Sequence, residues 1–186
     1  MWAKTSGVKI LTLCTANVAR SVMLAYMLSA LGEAEGRHWE LRSAGTHARE
    51  DFAMSARTRS ALEGIGDLDG LGERHYGLHR THQVTAPDVA WADIVLAMEA
   101  DHVRYLERLN EPLAARTVSF GQFVRTAPLD TDLADQIAVV RAQGLDDDCD
   151  VDDPGDGDDA RYAQCALELW SMAQAFCVVV ADDAPA

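Results

Sequence analysis

The sequence is poor in basic residues and has no basic cluster. Its 186 residues include 16 Lys and Arg against 30 Asp and Glu, which gives a formal net charge of -14. Proteins that bind nucleic acid by neutralising phosphates need clustered Lys and Arg, so we expect no nucleic-acid partner. Nine of the acidic residues fall between Asp146 and Asp159, a pattern that indicates one solvated acidic loop.

Long apolar segments are also missing. No apolar run approaches the roughly 20 residues that a helix needs to cross a bilayer, so we expect no membrane partner. Residues 1–13 do not contain a basic region, an apolar stretch and a small-residue cleavage site in that order, so no secretion signal is predicted. These absences favour a soluble, cytoplasmic protein. The length and a hydrophobic content of 48% suit one buried core, and we interpret residues 1–186 as a single domain.

Paired cysteines are absent as well. None of the four cysteines has a partner at the C-x-x-C spacing, so neither a disulfide framework nor a zinc site is predicted. We interpret Cys165 and Cys177 as small buried hydrophobes. Three histidines recur at i, i+4 and i+7, a spacing that could suggest metal ligands on a helix; they are His75, His79 and His82. Gly77 weakens such a helix, so we interpret these histidines as solvated or core side chains.

Strands and helices are predicted to alternate along the chain. Residues 8–13 form a compact apolar run typical of a buried strand, and apolar residues at helical spacing follow from position 22 to position 31. The order recurs with strands at 39–42, 94–96 and 117–120 and helices at 56–62, 99–109 and 160–180, while the glycine-rich residues 64–77 indicate a loop. This alternation predicts an α/β three-layer sandwich with a central parallel sheet of about four strands and helices on both faces. Ligands bind such folds outside the carboxyl ends of the strands.

The segment between the first strand and the first helix carries the clearest chemistry. It reads C-T-A-N-V-A-R from Cys14 to Arg20 and is followed by Ser21. A tight loop at the head of a helix points backbone N–H groups into one concavity, which suits phosphate or a sulfate-like anion. We therefore predict a substrate-binding loop formed by Thr15, Ala16, Asn17, Val18, Ala19, Arg20 and Ser21.

Two residues of this segment have the chemistry of a catalytic pair. The positive field of the loop stabilises a thiolate, which makes Cys14 a candidate nucleophile, and Ser21 can donate a hydrogen bond to it. The planar guanidinium of Arg20 can hold two phosphoryl oxygens. Asn17 tolerates a left-handed backbone and bonds to nearby backbone groups, so we expect it to brace the loop.

A nucleophile that attacks phosphorus also needs a proton donor for the departing oxygen. A carboxylic acid from elsewhere in the chain is the usual donor. Asp153 is the candidate, because it precedes Pro154, which biases it to an extended conformation, and lies in an irregular stretch just before the last helix.

Taken together, these segments resemble the low-molecular-weight protein tyrosine phosphatases. The resemblance covers most of the chain and rests on the C-x5-R-S loop followed, in the family's order, by residues 43–46 (SAGT), 92–98 (ADIVLAM) and 151–154 (VDDP). It implies a low-molecular-weight phosphatase-like domain that hydrolyses phosphate monoesters, here protein phosphotyrosine, through a phosphocysteine intermediate without metal or organic cofactor. Its partners would be phosphoproteins or small phosphate esters. On matching positions Cys14 is the nucleophile, Arg20 binds phosphate, Asn17 and Ser21 support the loop, and Asp153 is the acid that later activates water.

Three positions depart from the family pattern. Ala16 stands where glycine is usual, which requires that this residue keep a negative φ. Ala19 stands where many members have a second cysteine, so a disulfide within the loop cannot protect Cys14. Gly155 stands where an aromatic residue often flanks the substrate ring, which leaves the preference for phosphotyrosine open.

Two other functions fit the same loop. Arsenate reductases of this fold bind arsenate with the same cysteine and arginine. Members coupled to thioredoxin need further cysteines in the middle of the chain, and none occurs between Cys14 and Cys149. A version that uses a small thiol needs only Cys14 and stays open, as does a non-catalytic module that binds phosphate without turnover.

Overall fold

The computed structural model describes residues 7–180. Residues 1–6 and 181–186, which belong to the predictions on the N-terminal segment and on the full-length domain, lie outside the described residues. Among residues 7–180, no helix is long and apolar enough to cross a bilayer.

Four parallel strands form the centre of the fold, in the order β2-β1-β3-β4. They are β1 (Val8–Cys14), β2 (Trp39–Gly45), β3 (Ile94–Ala97) and β4 (Thr117–Ser119). The register pairs Cys14 with Gly45, and Leu13 with Ala97. The carboxyl ends of the strands therefore meet at one edge of the sheet.

Helices cover both faces of the sheet, as the sequence predicted. The longer helices are α1 (Arg20–Ala34), α2 (Ala56–Glu63), α5 (Ala100–Ala114), α7 (Leu133–Ala142) and α8 (Asp159–Val179). The shorter helices are α3 (Gly66–Asp69), α4 (Ala86–Trp91) and α6 (Phe120–Thr126), and single 3-10 turns occur at Tyr76–Leu78 and Asp147–Cys149. This arrangement is the predicted α/β three-layer sandwich.

Side chains of β1 divide the core between the two faces because successive residues of a strand point to opposite sides. Ile10 packs with the apolar residues of α1 and α8, whereas Leu11 and Leu13 pack with those of α4 and α5. All three side chains are buried. The strand that ends at Cys14 is thus fixed from both sides.

Several elements differ from the prediction. Helix α5 ends five residues later than predicted, and helices α4 and α7 were not predicted. Strand β4 ends at Ser119, and Phe120 begins α6, because Phe120 and Phe123 are one helical turn apart and both bury against Phe176. Strand β2 continues three residues beyond the predicted end, since its pairing with β1 runs to Gly45. The segment 64–77, expected to be a loop, contains α3 and a 3-10 turn.

Candidate active site

The loop after β1 turns its carbonyl groups outward. Each of four carbonyls accepts a hydrogen bond from a group outside the loop, whereas the N–H groups of residues 15–19 donate to no acceptor within residues 7–180. These N–H groups are therefore free to bind another acceptor, and they are the donors that the sequence analysis expected to hold an anion. The donor and acceptor pairs are Thr46 N to Cys14 O (2.9 Å), His47 N to Thr15 O (2.8 Å), His79 Nε2 to Asn17 O (2.9 Å) and Thr58 Oγ1 to Val18 O (2.7 Å).

Asn17 braces this loop from within. Its backbone is left-handed, with a φ of 56°, and its side chain is fully buried. Nδ2 donates to Ser21 Oγ and to Ser43 Oγ, both at 3.0 Å, and Oδ1 accepts from the N–H of His82 at 2.9 Å. Ala16 is not among the described residues with a positive φ, so alanine is compatible with this position.

Cys14 lies at the bottom of the loop beside Ser21. The residue is 3% exposed, and its Sγ is 3.0 Å from Ser21 Oγ. Since Ser21 Oγ already accepts from Asn17, its own hydrogen is available for the sulfur. The Ser21 hydroxyl is thus placed to donate a hydrogen bond to the sulfur.

Gly45 lets the loop pack closely on the end of β2. A Cβ at this position would lie 2.5 Å from the carbonyl oxygen of Thr15 and 2.9 Å from the backbone nitrogen of Asn17. Both are backbone atoms, so they cannot rotate away as the end of a flexible side chain would. The close approach of two backbones thus requires glycine at the end of β2.

Arg20, the first residue of α1, is only 1% exposed. Its Nη1 donates to the carbonyl of Val151 at 2.9 Å and to a carboxylate oxygen of Glu99, and Nη2 donates to Asp153 Oδ2 at 2.5 Å. Burial disfavours the guanidinium charge, but nearby negative charges, that of Cys14 foremost, outweigh burial and raise the pKa of Arg20. The guanidinium group is therefore charged, and two carboxylates hold it in place.

The segment that carries Asp153 is tied to the sheet and to α8. Val151 N–H donates to the carbonyl of Met98 at 2.8 Å, and Tyr162 OH donates to the carbonyl of Gly155 at 2.9 Å. Gly155 has a φ of 48°, a left-handed conformation that glycine adopts more readily than an aromatic residue. The carboxylate of Asp153 remains 49% exposed above Arg20.

Sequence reasoning missed two residues of this site, Glu99 and His102. Glu99 binds Arg20, and its N–H donates to His102 Nδ1 at 3.1 Å. Because Nδ1 accepts, the neutral ring carries its hydrogen on Nε2, which donates to Thr15 Oγ1 at 2.9 Å. Burial is the main cause that lowers the pKa of His102 to about 4. The position of Glu99, two residues after the end of β3, was a usable signal, since the ends of neighbouring parallel strands meet.

The histidines at 79 and 82 also support the loop. His79 binds the carbonyl of Asn17, and the ring of His82 lies between Glu50 Oε2 (3.2 Å from Nδ1) and Asp88 Oδ2 (2.9 Å from Nε2). Burial opposes the charge of His82, but its bonds to Asp88 and Glu50 outweigh burial and raise its pKa. Within residues 7–180, no group of three or more His, Cys, Asp or Glu could hold a metal ion.

Several solved structures of phosphatases are similar to this chain along most of its length. A low molecular weight protein tyrosine phosphatase from T. tengcongensis is 27% identical, with 91% of this chain and 97% of that chain covered and a TM-score of 0.72. Two further solved structures share the fold. These are the YwlE arginine phosphatase from Geobacillus stearothermophilus (24% identity, 91% and 90% covered, TM-score 0.68) and Vibrio vulnificus Wzb in complex with benzylphosphonate (19%, 91% and 97%, 0.67).

A search of curated proteins found no match. The family model described as low molecular weight phosphotyrosine protein phosphatase matches residues 9–185. That match spans nearly the whole sequence, including the loop at Cys14 and the segment at Asp153. The chain therefore belongs to the low molecular weight phosphotyrosine protein phosphatase family.

Proposed function

We propose that this protein hydrolyses phosphate monoesters, protein phosphotyrosine in particular, through a phosphocysteine intermediate on Cys14. Membership of the family supports a cysteine-based phosphatase. The observation that carries the proposal is the loop itself: Cys14 and Arg20 stand at its two ends, and the N–H groups of residues 15–19 between them have no acceptor within residues 7–180. This arrangement suits a tetrahedral oxyanion.

In the first step, the thiolate of Cys14 attacks phosphorus. The sulfur–phosphorus bond forms while the bond between phosphorus and the leaving oxygen breaks, and Asp153 gives its proton to that oxygen. The backbone N–H groups and Arg20 stabilise the equatorial oxygens during transfer. Ser21 stabilises the sulfur as its negative charge returns in the second step.

Asp153 must exchange its present partner to perform this role. Its Oδ2 is bound to Arg20 at 2.5 Å, while Oδ1 accepts from the N–H of Gly155 at 2.9 Å. A bound phosphate offers Arg20 other oxygens, which frees the carboxyl group to face the leaving oxygen. In the second step the carboxylate takes a proton from water, which attacks phosphorus, breaks the sulfur–phosphorus bond and releases inorganic phosphate.

Leaving-group dependence tests these roles. With an aryl phosphate whose leaving group is poor, Asp153→Asn should lower kcat/KM by about 100-fold or more, because general acid catalysis contributes factors of this size. With a good leaving group, which departs without a proton, the loss in kcat/KM should be small. Cys14→Ser should abolish turnover of both esters. Equal rates for wild type and Asp153→Asn on the poor leaving group would remove Asp153 from the mechanism.

Wild type and these variants also distinguish the two alternative functions, arsenate reduction and phosphate binding without turnover. Reduction of arsenate with a small thiol, without hydrolysis of any phosphate ester, would favour an arsenate reductase. Binding of phosphate without turnover would favour a non-catalytic module. Comparison of phosphotyrosyl and phosphoarginyl peptides of one sequence would then decide the phosphorylated side chain that the enzyme accepts.

A further inference from the structure

A groove leads away from the phosphate-binding loop along one face of α5. It encloses a cavity of about 420 Å³ that opens beside Thr15 and runs between α5 and the segment after β2. Asp101, Tyr105 and Arg108 line its helical side at i, i+4 and i+7, so they share one face of α5. Since Thr15 belongs to the loop, the groove begins at the edge of the proposed phosphate site.

The near end of the groove is fixed. His102, which is 4% exposed, donates from Nε2 to Thr15 Oγ1 at 2.9 Å. The middle is walled by His47 and Tyr105, whose ring centroids lie 5.3 Å apart at an angle of 62°. Tyr105 OH accepts from Gln83 Nε2 at 3.3 Å. These contacts hold an aromatic wall next to the loop.

Some charged side chains of the groove have a partner of opposite charge, and one does not. Glu99 is paired with Arg20, and Asp101 Oδ1 is paired with Arg104 Nη1 at 2.8 Å. Arg108, at the far end, is exposed, and no residue of the described part of the chain gives it a hydrogen bond or an ion pair. In a chain with a net charge of -14, a guanidinium without a carboxylate partner is a local site for an anion.

We propose that this groove is a specificity subsite, in which Arg108 binds a second anionic group of the phosphorylated substrate. The inference rests on the proposed phosphatase function. Arg108 is six residues beyond His102 on the same helix, which places it roughly 9 Å along the axis from the end next to the loop. An extended peptide covers that distance in about three residues, so an Asp or Glu near the phosphorylated residue reaches Arg108. A small substrate with a carboxylate or a second phosphate on an arm of similar length offers the same chemistry.

Matched substrates test the subsite. Two phosphotyrosyl peptides would differ only in having Glu or Gln at the third position from the phosphotyrosine, and this pair would be made both for the N-terminal and for the C-terminal side. Two aryl phosphates would differ only in having a carboxylate or an amide at the end of a side arm. Wild type should prefer the anionic member of at least one pair by about two- to fivefold in kcat/KM, the range of an exposed ion pair. The pair that shows the preference identifies a peptide or a small molecule as its source.

Variants assign the preference to Arg108. Arg108→Gln should abolish it through KM while turnover of a plain aryl phosphate stays unchanged, and Arg108→Lys should keep most of it. Arg59→Gln is the matched control, because Arg59 is an exposed arginine on α2 whose removal changes the net charge equally. Turnover with no charge preference in wild type, or a preference that survives in Arg108→Gln, would overturn the subsite alone. Absence of turnover with every phosphate ester would overturn the proposed function as well.

Discussion

Asn17 shows how much of the site depends on one side chain. It takes a left-handed backbone conformation and satisfies two hydroxyl groups and one backbone N–H in the interior. Asn17→Ala loses three hydrogen bonds of about 1 kcal/mol each and adds backbone strain. We expect a free energy of unfolding about 3 kcal/mol below that of the control Asp51→Ala, measured by urea denaturation.

Asp51 is the appropriate control because it is exposed and also has a positive φ, of 65°. Its replacement by alanine reports the backbone strain without the buried hydrogen bonds. Similar losses of stability in the two variants would show that the Asn17 side chain contributes little beyond its conformation.

His102 makes stability depend on pH. Its pKa is about 4 in the folded protein and near 6.5 in an unfolded chain, so the unfolded state binds more protons between these values. Stability from this residue is therefore complete above pH 6.5 and is lost as the pH falls towards 4. The charged groups around the ring are Glu99, Arg20, Asp153 and Asp101.

The comparison with His102→Gln isolates this contribution, since the carboxylates titrate in both proteins. Between pH 7 and about 4.5, wild type should lose on the order of 2–3 kcal/mol more free energy of unfolding than the variant. Chemical denaturation at a series of pH values measures it. If the free energies of unfolding of wild type and His102→Gln changed in parallel with pH, His102 would not be held in the neutral form.

At this scale, contacts within one continuous motif could be predicted from the sequence. Hydrogen bonds join Cys14, Asn17 and Ser21 within one short turn of the chain, so their proximity follows from spacing. Asp153 was a candidate because of its local sequence and the family resemblance, and its contact with Arg20 comes from the fold. Glu99 and His102 reach the loop from another strand and helix, and their contacts depend on strand order, which local patterns do not contain. Their positions required the structure.

At the scale of the element, the end of β2 controls the shape of the loop. A methyl group on Gly45 would collide with the backbones of Thr15 and Asn17, and the loop would have to move. Because small displacements in an active site reduce rates strongly, Gly45→Ala should lower kcat/KM for an aryl phosphate by about tenfold or more. Gly66→Ala, where a Cβ meets nothing within 4 Å, should leave it unchanged. Full activity of Gly45→Ala would mean that the loop tolerates the shift.

Prediction of the elements succeeded where the apolar pattern was dense. Strand β1 and helices α1 and α8 carry many buried residues and were recognised. Helix α7 was not, because only Gln136, Ile137 and Val140 of its residues are buried. Helix α6 follows β4 without an intervening turn, so the predicted strand included Phe120, the first residue of α6, and the rest of this helix was not recognised.

At the scale of the whole molecule, net charge opposes the proposed substrates. A net charge of -14 repels an anionic ester at long range, and salt screens this repulsion within about 10 Å at 0.1 M. We expect kcat/KM for an aryl phosphate to rise by about two- to fivefold between roughly 10 and 150 mM sodium chloride. The rate at which neutral iodoacetamide alkylates Cys14 is the control, and this rate should change little with salt. A fall in kcat/KM with salt would show that local donors dominate the long-range field.

That residues 1–186 form one domain remains a prediction for the full chain. Within the described residues, both apolar clusters pack on the same four-stranded sheet, which supports this proposal. The family assignment could be predicted because its landmarks are spread along the chain in order. The groove along α5 could not, because it is formed by segments distant in sequence.

The central claim is that phosphate is transferred to the sulfur of Cys14, and trapping the intermediate tests it most directly. Asp153→Asn should react with an aryl phosphate whose leaving group is good, yet lack the base that activates water, so the intermediate should accumulate. After rapid denaturation, mass spectrometry should find the phosphate on Cys14 in nearly every chain. Release of phosphate without a phosphorylated cysteine, or phosphate on another residue, would contradict the mechanism.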